Sequence, residues 1–224
     1  MLVAVDWHVV WGRLFHPDHV FLRALWTTVY IAVSAQFIGV VLGLVAALMR
    51  MSRFPPLRWL SGVYVLVFRG TPLLVQIFFV YSVLPLYGVR LSAVAAGVLA
   101  LSLYTGAFAA EIFRAGITAV HRGQVEAARS LGMTYTQTLR RIVLPIMAAM
   151  VLPPITSEFT GVIKWSSLLS VITVPELTFA AQRVIGETYS AIEPLLMAGL
   201  LYWALNDLMV YAGRRLERRM TRYL

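Results

Sequence analysis

The sequence contains no cysteine among its 224 residues, and few of its residues are charged. Without cysteine the chain can form neither disulfide bonds nor thiolate metal sites, and it has no cysteine nucleophile. Charged residues make up 13% of the chain and apolar residues 60%, and the mean hydropathy is +0.79. A soluble domain of this length rarely has so little charge for so much apolar surface. The composition therefore predicts a protein that lies in lipid.

The sequence also lacks the motifs of the common hydrolases and ATPases. It has no His-Glu-x-x-His, no Gly-x-Ser-x-Gly and no Gly-x-x-x-x-Gly-Lys-Ser/Thr phosphate loop, so we do not expect this chain to hydrolyse ATP. An intramembrane enzyme, the main alternative from another functional class, needs a nucleophile with a base or clustered metal ligands. The acids are scattered, and all four histidines lie outside the apolar stretches (His8, His16, His19 and His121). We expect no catalytic residues, no cofactor and no metal site.

Long, continuous apolar stretches predict an all-α integral membrane protein, because lipid offers the backbone no hydrogen-bond partners. A helix needs about 20 residues to cross a hydrocarbon core of roughly 30 Å. The sequence predicts five such spans, at about residues 25–49, 58–87, 91–113, 142–163 and 192–212. In the second span Pro72 removes the hydrogen bond to the Phe68 carbonyl, so we expect a kink there.

Positive charges are distributed unevenly around these spans. Three arginines fall within residues 50–58, five within 114–141 and five after residue 213; five Lys and Arg fall in the opposite segments, and Arg69 lies in a span. Because cytoplasmic loops retain Lys and Arg, this bias predicts an external N-terminus and a cytoplasmic C-terminus. The pI of about 10.4 then reflects orientation and anionic lipid headgroups, and we expect no nucleic-acid partner.

The expected organisation is a single membrane domain with short flanking segments. Asp6 lies in the first apolar run and no basic leader precedes it, so no removable signal peptide is expected. The expected parts are an external segment at 1–20, a transmembrane domain at 21–213 with a cytoplasmic loop at about 116–141, and a basic cytoplasmic tail at 214–224.

The cytoplasmic loop carries a motif with fixed spacing. It reads Glu126-Ala127-Ala128, three residues, Gly132, nine residues, and then Ile-Val-Leu-Pro at 142–145. This resembles the cytoplasmic signature of the permease subunits of ABC importers, and the chain is identified as a member of that family. The resemblance implies a type I ABC importer transmembrane fold, and it implies that this segment forms a short helix docked in a groove of a separate ATPase subunit.

The residue types of this signature segment, residues 123–132, suit such a joint. Helical spacing predicts a small apolar face formed by Ala127, Ala128 and Leu131. Glu126 is expected in the first turn, where it favours the helix dipole, and Gly132 is expected to end the helix. An amphipathic helix lying on lipid headgroups is the alternative interpretation from the residues alone.

Two further segments narrow the resemblance to permeases for polar amino acids. Residues 68–76 read Phe-Arg-Gly-Thr-Pro-Leu-Leu-Val-Gln, and residues 110–117 read Ala-Glu-Ile-Phe-Arg-Ala-Gly-Ile; both are similar to runs in that family. The chain departs from the family where members often read Leu-Asn-Ser-Gly-Ala-Tyr and Lys-Asp-Thr-Ser-Leu. Here residues 103–108 and 164–168 place Tyr104 at the Asn position and Trp165 at the Asp position.

Polar residues within the predicted spans are candidates for the substrate path, because charges there are costly and face protein or water. Glu158 lies near the middle of the fourth span; it could recognise a substrate cation, or it could form an intersubunit ion pair or stay protonated. Arg69 is interpreted mainly as support for the kink. With them we list Ser157 and Thr71 as candidates. Pairs of small residues four apart, such as Gly39 with Gly43 and Gly106 with Ala110, indicate close helix packing, either within the chain or across a dimer.

The function implied is that of the permease subunit of an ATP-driven importer for polar amino acids or related compounds, working by alternating access. The resemblance implies ABC ATPase subunits, a second permease subunit that is either a copy of this chain or another one, and an extracytoplasmic solute-binding protein. Membrane lipid surrounds the complex, in the bacterial cytoplasmic membrane. An ABC permease of the same fold for another small polar solute is the alternative, followed by a secondary transporter or a channel.

Overall fold

The computed structural model describes residues 20–221, with side chains through residue 218. The expected external segment at 1–20, apart from Val20, and His8, His16 and His19 lie outside this range. The helices of the described range are α1 Val20–Met51, α2 Pro55–Gly70, α3 Leu73–Phe78, α4 Ala93–Thr118, α5 Arg122–Ser130, α6 Tyr135–Thr138, α7 Leu144–Trp165, α8 Leu177–Thr188 and α9 Ile192–Thr221. Three of these helices, α3, α6 and α7, continue into other helical turns: π-helical turns at Phe79–Val83 and Leu139–Val143, and 3₁₀ turns at Leu84–Tyr87 and Ser166–Ile172.

Four continuous helical stretches in the described residues are long and apolar enough to cross a membrane, and a bent pair supplies a fifth span. This confirms the predicted all-α architecture with five spans. The bent pair joins α2 to the stretch Leu73–Tyr87 at 109°, far more than the expected kink. The cause is that Thr71 and Pro72 are both extended, with ψ of 147° and 134°, so two residues leave the helical conformation.

Helices α1 and α4 pack closely because small residues face one another. A Cβ added to Gly39 would lie 2.1 Å from Thr105 Oγ1, and one added to Gly43 would lie 2.5 Å from the Ala109 Cβ. On the other helix, a Cβ at Gly106 would lie 3.2 Å from the Gly39 carbonyl oxygen. The small-residue pairs found in the sequence therefore pack within the chain.

The fourth span begins earlier than the sequence predicted. The loop was expected to reach residue 141, but α6 starts at Tyr135, and a π-helical turn carries it into α7. A capping box fixes this start: the Thr134 hydroxyl accepts from the Gln137 amide, and the Gln137 side chain accepts from the Thr134 amide. The two prolines inside α7, Pro153 and Pro154, do not end the helix.

A buried carboxylate holds α8 against the last span. Glu176 is 0% exposed and caps α8, accepting hydrogen bonds from the backbone amides of Thr178 at 2.8 Å and Phe179 at 2.7 Å. The Tyr202 hydroxyl of α9 donates to the same carboxylate. Helix α9 continues to Thr221, so the expected domain limit at residue 213 falls inside a helix.

Candidate functional site

An open cleft of about 680 Å³ lies between α2, α4 and α7. It contains charges of both signs among apolar side chains, and it runs from the ends of α4 and α7 nearest the signature segment to the middle of the membrane domain. Its lining residues are Arg69, Phe108, Glu111, Ile112, Arg114, Ala115, Gly116, Ala119, Met150, Pro154, Ser157 and Glu158.

The inner part of the cleft brings Arg69 close to Glu158. The Arg69 guanidinium carbon lies 4.9 Å from the centre of the Phe108 ring, a cation–π contact that holds the cation above an apolar wall. Glu158 is half-buried, lies within electrostatic range of Arg69, and has one carboxylate oxygen, Oε2, that is buried without a hydrogen-bond partner in the described structure. Such an atom is available to a ligand carrying a hydrogen-bond donor.

The end of the cleft nearest the signature segment carries a second pair of charges. Arg114 donates two hydrogen bonds to Glu111 Oε2, at 2.9 Å from Nε and 2.7 Å from Nη2. This carboxylate is thus already paired, unlike that of Glu158. Glu111 and Arg114 belong to the motif at residues 110–117 but were not predicted to line the site. Phe108, Glu111 and Arg114 follow one another every three residues along α4, so they lie near one face of the helix. This spacing is the sequence signal that could have placed them in one site.

Three of the four substrate-path candidates meet in this cleft, and the fourth does not. Arg69, Ser157 and Glu158 all line it, whereas Thr71 lies beside a separate apolar cavity on the other side of the bend. The Thr71 hydroxyl donates to the Val67 carbonyl at 2.8 Å and accepts from Gln76 Nε2 at 2.8 Å. Thr71 therefore does not line the cleft with Arg69, Ser157 and Glu158, because the 109° bend turns it away from them.

The support of the bend also differs from the expectation. Arg69 was interpreted as the residue tying the broken helix, but its side chain is exposed and lies over Phe108. The broken ends are joined by Gln76, whose Nε2 donates to the carbonyl oxygens of Phe68 at 2.9 Å and Thr71 at 3.2 Å. The sequence motif contained Gln76, but its bonds to acceptors eight and five residues away, across a break in the helix, follow no regular helical spacing.

The signature segment forms a short helix closed by a glycine. Helix α5 ends in a Schellman motif, in which the Gly132 amide donates to the Arg129 carbonyl at 2.9 Å and the Met133 amide donates to the Ala128 carbonyl at 3.1 Å. Gly132 has a φ of 79°, which an L side chain rarely adopts. The expectation that Gly132 ends this helix is confirmed.

The exposed face of this helix is narrower than predicted. Ala128 is buried at 4% exposure, so it packs against the rest of the chain, whereas Ala127 and Leu131 are exposed and Leu131 is 84% exposed. Glu126 is also exposed, and it lies in the middle of α5 rather than in its first turn. The outward surface therefore consists of Glu126, Ala127 and Leu131, followed by Gly132.

Comparison with known proteins agrees with this architecture. Residues 39–222 match the family model described as binding-protein-dependent transport system inner membrane component. A chain in the crystal structure of an amino acid ABC transporter with histidines superimposes with a TM-score of 0.87 at 36% sequence identity, covering 97% of this chain and 100% of that chain.

Curated relatives extend over nearly the whole length. The L-cystine transport system permease protein of Bacillus subtilis is 37% identical over 222 residues, which is 99% of this chain and 94% of the relative. A probable glutamine ABC transporter permease protein of the same organism is 40% identical over 207 residues, 89% of this chain and 95% of the relative. The chain therefore belongs to the family of binding-protein-dependent transport system inner membrane components, as the permease subunit of an amino-acid ABC importer.

Proposed function

We propose that this permease carries its amino acid through the cleft of Arg69 and Glu158, and that an ATPase docked on residues 126–132 drives the movement. The observation that carries this proposal is the juxtaposition of Arg69 and the partly unpaired Glu158 in one cleft. A guanidinium binds a carboxylate through two parallel hydrogen bonds, and a carboxylate binds an ammonium or guanidinium. The two side chains are thus complementary to the charged groups of an amino acid.

The size and lining of the cleft support a single small solute. A volume of about 680 Å³ lies within the roughly 300–1,000 Å³ of small-molecule sites. Glu111 is neutralised by Arg114, so Glu158 is the acid left to meet a positive charge of the substrate. We infer that Glu158 biases transport toward substrates that carry an additional positive charge.

The importer that we propose consists of this chain, a second permease subunit, two ATPase subunits and a solute-binding protein on the outer side. Family membership supports the ATPase and the binding protein, because an importer permease has no phosphate loop of its own. The exposure of Glu126, Ala127 and Leu131 supports the proposal that the ATPase docks on this surface. The charge bias supports an orientation with the C-terminus in the cytoplasm of a bacterial cell.

The test of the substrate path is a ratio of uptake rates. Glu158→Gln keeps the shape of the side chain, so uptake of a cationic amino acid is expected to fall several-fold more than uptake of a neutral one, in vesicles with matched amounts of complex. Glu111→Gln serves as the control. It removes a carboxylate of the same cleft, but one that already pairs with Arg114, so the ratio of cationic to neutral amino-acid uptake should stay unchanged. Poor assembly and equal loss for all substrates after Glu158→Gln would instead identify Glu158 as a packing residue.

A further inference from the structure

Two aromatic side chains meet beyond the inner end of the cleft. The rings of Tyr104 on α4 and Trp165 at the end of α7 have centroids 5.2 Å apart and planes at 83°, an edge-to-face contact. Tyr104 also lies 4.9 Å, centroid to centroid, from Phe108, which lines the cleft beneath Arg69.

The position of this aromatic pair follows from the two helices that carry it. Ala119 and Met150 line the cleft near the signature segment, and Tyr104 and Trp165 each lie fifteen positions from them along α4 and α7. Fifteen helical residues span about 22 Å. The lining ends at Phe108 and Glu158, and Tyr104 is within electrostatic range of both Arg69 and Glu158. The Tyr104–Trp165 pair therefore lies on the side of Arg69 and Glu158 that faces away from the signature segment.

The Trp165 ring is held in place by its own helix. Three atoms of the indole would lie 2.9–3.2 Å from a Cβ at Gly161, so the absence of a side chain there lets the ring lie back along α7. The next residue, Ser166, is 0% exposed and donates to the Ile163 carbonyl at 2.7 Å. Ser166 also interacts with Tyr202, the residue that donates to Glu176 at the start of α8. Trp165 is thus connected to the helix between the last two spans.

We infer that the Tyr104–Trp165 contact is the barrier that closes the cleft at the end away from the signature segment, and that the two rings separate in each transport cycle. Rings are suited to this role because their edge-to-face contact is not an ion pair, so separating them leaves no unpaired charge in an apolar environment. The inference rests on the proposed transport path through the cleft.

The absence of cysteine makes the contact testable in the otherwise unchanged chain. We would prepare Tyr104→Cys with Trp165→Cys in the complete importer in proteoliposomes and add a short bismethanethiosulfonate linker. Cross-linking is expected to lower ATP-driven uptake at least tenfold relative to the same untreated complex, and dithiothreitol should restore it. Complete cross-linking with undiminished uptake would overturn the inference, as would failure to cross-link in any nucleotide state.

A matched pair of cysteines at the open end of the cleft provides the control. Ala119→Cys with Met150→Cys should cross-link poorly without nucleotide and several-fold more after trapping with ATP and vanadate, whereas the Tyr104 and Trp165 pair should show the reverse. The same nucleotide dependence for both pairs would contradict a barrier that alternates with the open end.

A second measurement remains informative if the double-cysteine chain does not assemble. Ser157→Cys is an exposed reporter in the cleft, and its labelling by an impermeant maleimide from the side away from the ATPase should rise at least fivefold with Tyr104→Ala and remain unchanged with Tyr104→Phe. Equal labelling in both would exclude the barrier. Failure of the transport path would appear differently, as a ratio of cationic to neutral amino-acid uptake that Glu158→Gln leaves unchanged.

Discussion

The side-chain amide nitrogen of Gln76 donates a 2.9 Å hydrogen bond to the main-chain carbonyl of Phe68, the acceptor that Pro72 leaves without its helical donor. The same nitrogen bonds Thr71 Oγ1 at 2.8 Å. A break in a membrane helix exposes backbone groups that lipid cannot satisfy, so such a side chain makes the bend possible. The extended Thr71 and Pro72 turn the second span by 109°, and Gln76 supplies a donor to the Phe68 and Thr71 carbonyls at this break.

The first prediction is that Gln76→Leu destabilises the permease. Losing the donor leaves the partly buried Phe68 carbonyl unsatisfied, at a cost of about 1–3 kcal/mol, so the apparent melting temperature of the detergent-solubilised complex should fall by several degrees. Val75→Leu is the control, because it places a leucine at the adjacent, exposed position. Equal melting temperatures for the two variants would show that the amide does not support the bend.

The second prediction concerns the pH dependence of stability at Glu176. Burial raises the pKa of the Glu176 carboxyl above its ordinary value, although hydrogen bonds from Tyr202 and from the amides of Thr178 and Phe179 act in the opposite direction. Between the ordinary pKa of the unfolded chain and the raised folded value, the folded state binds more protons, so stability falls as pH rises through that window.

Glu176→Gln removes the ionisable carboxyl group. The difference in melting temperature between wild type and this variant therefore isolates the contribution of Glu176 to the pH dependence of stability. The melting temperature of wild type minus that of Glu176→Gln should decrease as pH rises above about 4.3, the ordinary pKa of a glutamate. A difference that increases with pH would mean that the ionised carboxylate is the stabilising form.

The third prediction is the orientation of the chain. A reporter active only in the cytoplasm should work when fused after Leu224, and alkaline phosphatase, which is active only outside, should work when inserted near Arg90. The charge bias is the reason, and Arg90 is exposed between the second and third spans. Activities reversed at these two positions would refute the orientation.

The agreement between sequence and structure depends on how local each feature is. The sequence predicted the five spans, the glycine at the end of α5 and the close packing of Gly39 and Gly43, because hydropathy, spacing and residue size act over a few turns. Two other features could not be predicted from the sequence. The inward direction of Ala128 and the contact of Tyr104 with Trp165 depend on how separate helices are arranged, and no sequence period encodes that arrangement.

The last prediction concerns the proposed ATPase-docking surface at residues 126–132. Gly132→Leu should lower ATP-driven uptake and substrate-stimulated ATP hydrolysis at least tenfold, while the permease still inserts into the membrane. A leucine at a φ of 79° is strained, so the turn that ends α5 would shift and displace the exposed Leu131. Gly123→Leu is the matched control, because a Cβ meets nothing within 4 Å at either glycine, and only Gly132 has a positive φ.

Charge reversal at Glu126 tests the same surface without changing the backbone. Because Glu126 is exposed, Glu126→Lys should leave the fold intact and weaken only the contact with the ATPase, so uptake and stimulated hydrolysis should fall together. The measurement is made in proteoliposomes with equal permease content and a fixed excess of ATPase subunit. Normal uptake and stimulated hydrolysis in both Gly132→Leu and Glu126→Lys would remove the signature segment from the coupling mechanism, and ATPase contact would then have to lie elsewhere on the cytoplasmic surface.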